Sequence, residues 1–432
     1  MAPRRVNGIL LLYHRPLVLN APTVMEHVSA FPKYSRFRVW PVNTELGFPA
    51  ALANLEFSVI IVHYSIYGWY PFSLPPKFLA YLQRTRDGYK IGFFQDEHRY
   101  WPQRSAFIEA CGISCVYTLV EPPYFADTYL KRTRVEKLVY TLPGYVSDEL
   151  VQVAREPSRP SRERTIDVGY RGRRLPHWMG RGSQEKTLIA ERFGELARGL
   201  GLKLDLESEE GKRLYGRRYH EFLANCRAVL GVEAGVSIFD TDDVVRLAYE
   251  QLLLERPGLT FEEAHAALLW QYEDNIPYRT ISPRHFEAAA FRVCQILFEG
   301  RYSGILQPMV HYIPLRKDFS NFDEAIRRFQ DESVREALVE NAYRDLIASG
   351  QYSYHQFIET FDAELLQAGY DPVISATEAD GVTALLGRGQ VLRQVYSSVR
   401  SLHYRSFPGK AALRVVLRPV LRQLRQLGME WV

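Results

Sequence analysis

The chain has 432 residues, 47% hydrophobic and 24% charged, with 54 Lys and Arg against 50 Asp and Glu for a net charge of +4. It is too long for one ordinary core and fits two domains plus an extension, and its composition excludes disordered, fibrous and membrane-spanning classes. Four cysteines, Cys111, Cys115, Cys226 and Cys294, form neither a disulfide framework nor a paired metal set, which suits a reducing cytoplasm.

The first 145 residues alternate short apolar strands with helical stretches. Arg4 and Arg5 precede the apolar run 9–13, which His14, Arg15 and Pro16 end too soon for a signal peptide, so 8–13 reads as a first strand. Further strands are expected at 57–63, 90–95, 114–119 and 137–142, with helices near 23–31, 75–85 and 103–111. Continuous apolar strands between helices predict a parallel, doubly wound sheet. Residues 155–164, REPSRPSRER, have nothing to bury and read as a linker. The alternation then restarts, with strands at 165–170, 203–206 and 228–232 and helices at 185–200 and 218–225. A helical stretch over 242–272 is broken at Pro257-Gly258, and Thr260 with Glu263 predicts a capping box for its second half. The expected organisation is a first α/β domain over 1–150, a linker over 151–164, a second α/β domain over 165–350, helices over 351–380 that pack back, and a basic extension over 381–432.

Residues 281–321, ISPRHFEAAAFRVCQILFEGRYSGILQPMVHYIPLRKDFSN, read as N-cap, helix, buried strand and glycine-bracketed loop. Ser282 caps, Pro283 takes the first helical position, and Glu287 follows one turn later. An acid there can take ribose hydroxyls while loop N–H groups at Tyr302, Ser303 and Gly304 take phosphate. A βα unit with a single capping-region acid is the alternative.

This segment resembles the donor-binding region of GT-B glycosyltransferases, especially the group 1 (family 4) type and its spore-maturation-like relatives. The resemblance implies two Rossmann-like domains facing a cleft and a nucleotide-sugar donor. It makes Glu287 the ribose-binding acid and puts Arg284 beside it. The family's Glu-x7-Glu signature is broken, because Arg279 stands where the first acid belongs. The resemblance also implies an Arg/Lys pair for the donor diphosphate. In the turn Asp167–Arg174, Arg173 matches, with Arg171 as its substitute, and Lys186 follows. Cations there stabilise the charge of a departing nucleoside diphosphate. A solvated basic loop is the plain alternative.

After the strand at 228–232 come Glu233, Asp240, Asp242 and Asp243. Glu233 sits at the cleft mouth, whereas Asp240 and its neighbours also suit a helix start. No metal and no cofactor is expected. In the first domain, Asp96, Glu97 and His98 directly follow a strand whose carboxyl end faces the cleft. An inverting transferase would take its base from these three, and a retaining one would use them to orient substrates. Aromatic residues at Tyr64, Tyr67, Trp69, Tyr70, Phe72, Trp101 and Trp178 suit either a carbohydrate acceptor or a core.

Between residues 381 and 429 there are nine Lys and Arg and no acid, leaving −5 for the rest. Over 411–427, Arg414, Arg418, Arg422 and Arg425 flank an apolar stripe at helical spacing, with Pro419 inside it. Such a segment binds an anionic membrane surface, or packs on the acidic body or on a partner chain. No nucleic-acid reading motif is present. The expected function is therefore transfer of a sugar from a nucleotide diphosphate sugar to a glycan or lipid-linked acceptor, in the cytoplasm or at the inner face of the membrane. An inactive glycosyltransferase-like binding module is the alternative.

Overall fold

The computed structural model describes residues 3–15, 22–67, 74–155, 160–388 and 394. The expected basic helix over 411–427 and the aromatic residues Trp69, Tyr70 and Phe72 lie outside these.

Two parallel sheets organise the chain. The first holds β1 (Arg4–Tyr13), β2 (Val39–Asn43), β3 (Leu55–Val62), β4 (Tyr89–Phe93), β5 (Cys115–Thr118) and β6 (Lys137–Tyr140) in the order β2-β1-β3-β4-β5-β6. Helices α1 (Pro22–Tyr34), α2 (Pro76–Arg84) and α3 (Trp101–Cys111) connect them, and α4 (Asp148–Arg155) follows. Alternation explains the two faces. Leu10, Leu12, Ile60 and Val62 enter one core cluster, while Ile9, Leu11, Val59 and Ile61 enter another, as the period of two requires.

The second sheet holds β7 (Ile166–Arg171), β8 (Leu204–Glu207), β9 (Cys226–Gly231), β12 (Cys294–Phe298) and β13 (Ile313–Leu315) in the order β13-β12-β9-β7-β8. Its helices are α5 (Arg181–Leu196), α6 (Arg217–Asn225) and α9 (Pro283–Ala290). The β7 and β9 connections leave in opposite directions, so the crevice outside their carboxyl ends is the switch point where open α/β sheets bind ligands. An antiparallel ribbon of β10 (Ala234–Val236) and β11 (Tyr278–Thr280) stands beside it. The ribbon needs Gly235, whose φ is +93° and whose added Cβ would lie 1.9 Å from the Tyr278 carbonyl.

Residues 237–277 leave the ribbon and return, carrying α7 (Val244–Glu255) and α8 (Phe261–Ala267). Their inner side chains, Ile238, Phe239, Val245 and Tyr249, share one core cluster with Trp101 and Tyr129 of the first domain. After α10 (Phe322–Gln330) and α11 (Glu332–Tyr343), the chain crosses back. There α12 (Tyr354–Gln367) lays Phe357, Ile358 and Phe361 on the first sheet. On the opposite face α13 (Ala376–Gly387) packs Val382 and Leu386, and the Trp40 indole donates to Thr383 at 3.0 Å. The expected linker is anchored at its end. Arg164 is buried and its guanidinium donates to the carbonyls of Cys226, Phe291 and Arg292, closing carbonyls that the strand and helix ends leave open.

Candidate functional site

The switch-point crevice is a recess whose walls come from the end of β7 (Tyr170–Arg173), the end of β9 (Val229–Ala234), Lys186 on α5, Arg213, Tyr219 on α6, and Ser282 to His285 at the start of α9. Ser282 caps α9 as expected, and the reciprocal side chain of its capping box is His285. His285 Nδ1 accepts from the Ser282 N–H at 3.1 Å, and burial holds this imidazole near 3, hence neutral.

Cations dominate the recess. Arg173 is exposed at its rim and makes no ion pair among the described residues. Lys186 reaches in, 3.5 Å from the Gly235 carbonyl. Burial first, then the fields of Arg173, Arg279 and Arg284, pull its ammonium down to about 8, against the opposing pull of Asp96. Arg284 lies over the Tyr219 ring at 5.1 Å and donates to the Arg171 carbonyl, with no carboxylate partner among the described residues. Three cations without carboxylate partners among the described residues around one recess suit an anion of about the charge of a diphosphate.

Arg171 does different work from that expected. It pairs with Asp205 at 2.7 Å, donates to the Asp205 carbonyl at 2.9 Å and stacks on Phe222 at 4.3 Å. A guanidinium this occupied positions the turn and leaves Arg173 as the free arginine.

The glycine loop also differs. Glu233 lines the recess, but its Oε1 accepts from the N–H groups of Arg301 and Tyr302 at 3.1 and 2.8 Å. Gly300 permits this approach, since an added Cβ would lie 2.7 Å from the carboxylate. Of the N–H groups expected to hold phosphate, that of Tyr302 therefore holds Glu233. Tyr302 is fully buried and donates its hydroxyl to the Phe298 carbonyl at 2.6 Å. Ser303 turns its hydroxyl toward Thr280 at 2.9 Å and Tyr140 at 3.1 Å, tying the loop to the first domain. Gly304 takes a φ of +74° and gives its N–H to the Arg301 carbonyl at 2.7 Å. Loop closure explains all three: a tight turn satisfies its own backbone first.

Glu287 stands on α9 just beyond the recess, 4.0 Å from His220. Burial raises its carboxyl to about 7, with Arg284 opposing and Glu26 of the first domain adding. Arg279, in place of an acid, pairs with the buried Glu185 at 2.7 Å, and Lys317 pairs with the same carboxylate at 2.8 Å. The β11 position where the resemblance expects an acid therefore carries a neutralised cation.

The first domain faces this recess with the loop after β4. Asp96 there has a left-handed φ of 53°. It is open to water yet ringed by charge: enclosure pulls its carboxyl up, but His98, Arg99, Arg104 and Arg173 outweigh that and hold it below its ordinary range. His98 is buried, its ring between those of Trp178 and Tyr278, and neither ring nitrogen has a partner among the described residues. Burial holds it near 3, with Asp96 opposing. Glu97 points the other way. It is fully buried and accepts from the hydroxyls of Thr118, Tyr129 and Tyr278 and from the Leu119 N–H. It anchors the strained turn and has no access to a substrate. Asp240 accepts from the Arg246 N–H at 2.8 Å, the helix-start role open to it.

Arg213, Tyr219, His285 and Gln295 also line the recess and are not among the residues the sequence singles out. The signal for His285 was its place three residues after the Ser282 cap. Tyr219 and Gln295 look like ordinary core positions until the recess forms around them.

No protein family and no curated protein matches the sequence. Among solved structures, an alpha-glucosyltransferase in complex with UDP-glucose and DNA containing an abasic site is 11% identical, with a TM-score of 0.50 over 84% of this chain and 99% of that one. Anabaena Alr3699/HepE in complex with UDP and glucose is 11% identical, with a TM-score of 0.44 over 84% of this chain and 100% of that one. TarM is 13% identical over 70% of this chain, with a TM-score of 0.38, and the chain spans 53% of TarM's length. Likeness at such identity concerns architecture, since one fold hosts many activities. Two facing Rossmann-like α/β domains, each built on a parallel sheet, give this chain the GT-B fold.

Proposed function

We propose that the chain is a glycosyltransferase that moves a sugar from a nucleotide diphosphate sugar, a UDP-sugar first among these, to a carbohydrate or lipid-linked glycan acceptor in the cytoplasm, in glycan or surface polysaccharide synthesis. The observation that carries this reading is the trio Arg173, Lys186 and Arg284 without carboxylate partners at the switch point of the second sheet. UDP as the nucleotide rests on the glucosyltransferase of like fold, whose structure holds UDP-glucose.

In this reading the diphosphate lies between the three cations. The bond from the anomeric carbon to the β-phosphate oxygen breaks, and charge grows on that oxygen where the cations stand. The acceptor hydroxyl forms the new bond, and its proton passes to the departing phosphate. Charge of this kind supplied by side chains gives the role a divalent ion plays elsewhere, so the proposed reaction is metal-independent. Glu287 takes the ribose hydroxyls, and Asp96 and His98 orient the sugar and acceptor from the facing wall. His98 near 3 and Asp96 below its ordinary range are poor bases at neutral pH. Retention of anomeric configuration, which needs no side-chain base, is the outcome that the resemblance to group 1 glycosyltransferases implies.

A thermal-unfolding series with UDP, GDP, dTDP and ADP tests the binding, and release of UDP from UDP-sugars tests the chemistry. A ligand at about 100 times its Kd stabilises by about 2.7 kcal/mol, a shift of several degrees. No shift with any nucleoside diphosphate would remove the reading. The pairing of Arg279 with Glu185 favours a second reading, a binding module without transfer, and stabilisation by UDP with no sugar released or transferred would select it.

A further inference from the structure

The insertion 237–277 buries one side of α7 and exposes another. Val245 and Tyr249 face the core, whereas Val244, Leu247 and Leu254, at helical spacing, are 53, 53 and 77% exposed, and Trp270 is 63% exposed. Glu250 and Glu255 flank this stripe on its two sides, Glu250 paired with Arg246 at 3.0 Å and Glu255 accepting only from the Gln251 amide at 2.9 Å among the described residues. These side chains share one exposed face, broken by Gln251 between Leu247 and Leu254, and such an apolar face marks a contact surface. The insertion carries nine Asp and Glu against Arg246 and Arg256 alone.

One segment of this chain has the opposite character. Residues 389–432 carry eight Lys and Arg against Glu430, and over 411–427 their basic side chains flank an apolar stripe that includes Leu417, Leu421 and Leu424. The continuous described chain ends at Arg388, where Leu386 and Gly387 line a recess with Trp40 and Val42 at the β2 edge of the first sheet. The 22 residues from 389 to 410 span at most about 75 Å, ample to reach α7 from there. A tethered segment also docks at high effective concentration.

We propose that the acidic, apolar outer face of α7 is the docking site of the chain's own segment 411–427. Its apolar stripe covers Val244, Leu247 and Leu254, and its arginines, which their spacing of four, four and three sets along one edge of that stripe, meet Glu255. This face belongs to the insertion that closes the cleft wall behind His98, since the Asp240 N–H donates to the His98 carbonyl at 3.2 Å.

The test is thiol cross-linking in the full chain. All four native cysteines are buried. The pair Leu254→Cys with Leu417→Cys is treated with a short bifunctional maleimide at low protein concentration, beside a control pair Leu188→Cys with Leu417→Cys. Leu188 and Leu254 are both exposed, so neither change disturbs the core. Cross-linking within one chain is expected for the first pair and at least about fivefold less for the control. Adding Leu247→Glu, or raising salt to about 1 M where screening acts within about 3 Å, should cut it about fivefold or more. Equal cross-linking of both pairs, or no response to salt and to Leu247→Glu, overturns the proposal. So does a cross-linked dimer, which would assign the face to a second copy. Absence of the cross-link with flotation on phosphatidylserine vesicles also overturns it, and assigns the segment to a membrane surface.

Discussion

The Tyr278 hydroxyl donates to the Glu97 carboxylate at 2.8 Å, joining β11 of the second domain to the loop after β4 of the first. Glu97 therefore holds the cleft wall on which Asp96 and His98 stand, and Tyr278 helps keep that wall in place. Burial raises the Glu97 carboxyl, and its donors from Thr118, Tyr129 and Tyr278 oppose the rise. Removing one donor leaves a buried acceptor short. Tyr278→Phe should destabilise the chain by about 1–3 kcal/mol in denaturant unfolding and change the UDP Kd little. Full stability in Tyr278→Phe would contradict the anchoring role.

Lys186 gives the proposed donor site a pH dependence of definite sign. Its free-state value is about 8, held down first by burial and then by Arg173. A bound diphosphate raises it, so binding takes up a proton above pH 8. Affinity for UDP should be flat below pH 8 and fall by up to about tenfold per unit above it. Lys186→Arg, charged throughout, should remove this slope. Lys186→Ala should lower kcat more than it raises the acceptor KM, because the charge matters most as the diphosphate leaves.

Glu287 carries opposite effects on stability and on binding. Its folded value of about 7 lies above the ordinary 4.5, so the folded state gains stability as pH falls from 7 toward 4.5 and bears the cost of the ionised form above 7. Glu287→Gln should stabilise the chain at pH 8 by roughly 1–3 kcal/mol. It should also weaken UDP binding about tenfold or more, through loss of a charged acceptor for the ribose. Unchanged affinity would remove the ribose role.

The product anomer separates the roles of Asp96 and His98. NMR of the first-formed product should show retention. Inversion would require one of these two as base, since Glu97 is sealed in its own hydrogen bonds.

Much of this architecture is legible in the sequence because continuous apolar strands and helix caps are local signals. The Thr260–Glu263 box and the Ser282 cap with Pro283 stand where their residues predict. The strand β2 was missed because Val39–Asn43 is a short edge strand interrupted by Pro41. The ribbon β10–β11 was missed because each strand has three residues, and its geometry depends on Gly235 meeting a backbone more than 40 residues away. Charge type and order single out Lys186 and Arg173, which both line the recess. They did not reveal that Asp205 would neutralise Arg171, or that Glu233 would take the loop N–H groups, because both partners come from other strands or loops. Polar residues after β4 were correctly located by their place at a strand end, but which of the three faced inward depended on Tyr129 and Tyr278.

The most direct test of the donor site is calorimetric titration of UDP into the full chain and into Lys186→Ala/Arg284→Ala at pH 7.5. Each lost charged contact should cost about 1.5–3 kcal/mol. Saturable binding by the unaltered chain, weakened about a hundredfold or more in the folded double variant, is the predicted result. Equal affinity in the two proteins, or no binding by the unaltered chain, would contradict the assignment of the diphosphate to Arg173, Lys186 and Arg284.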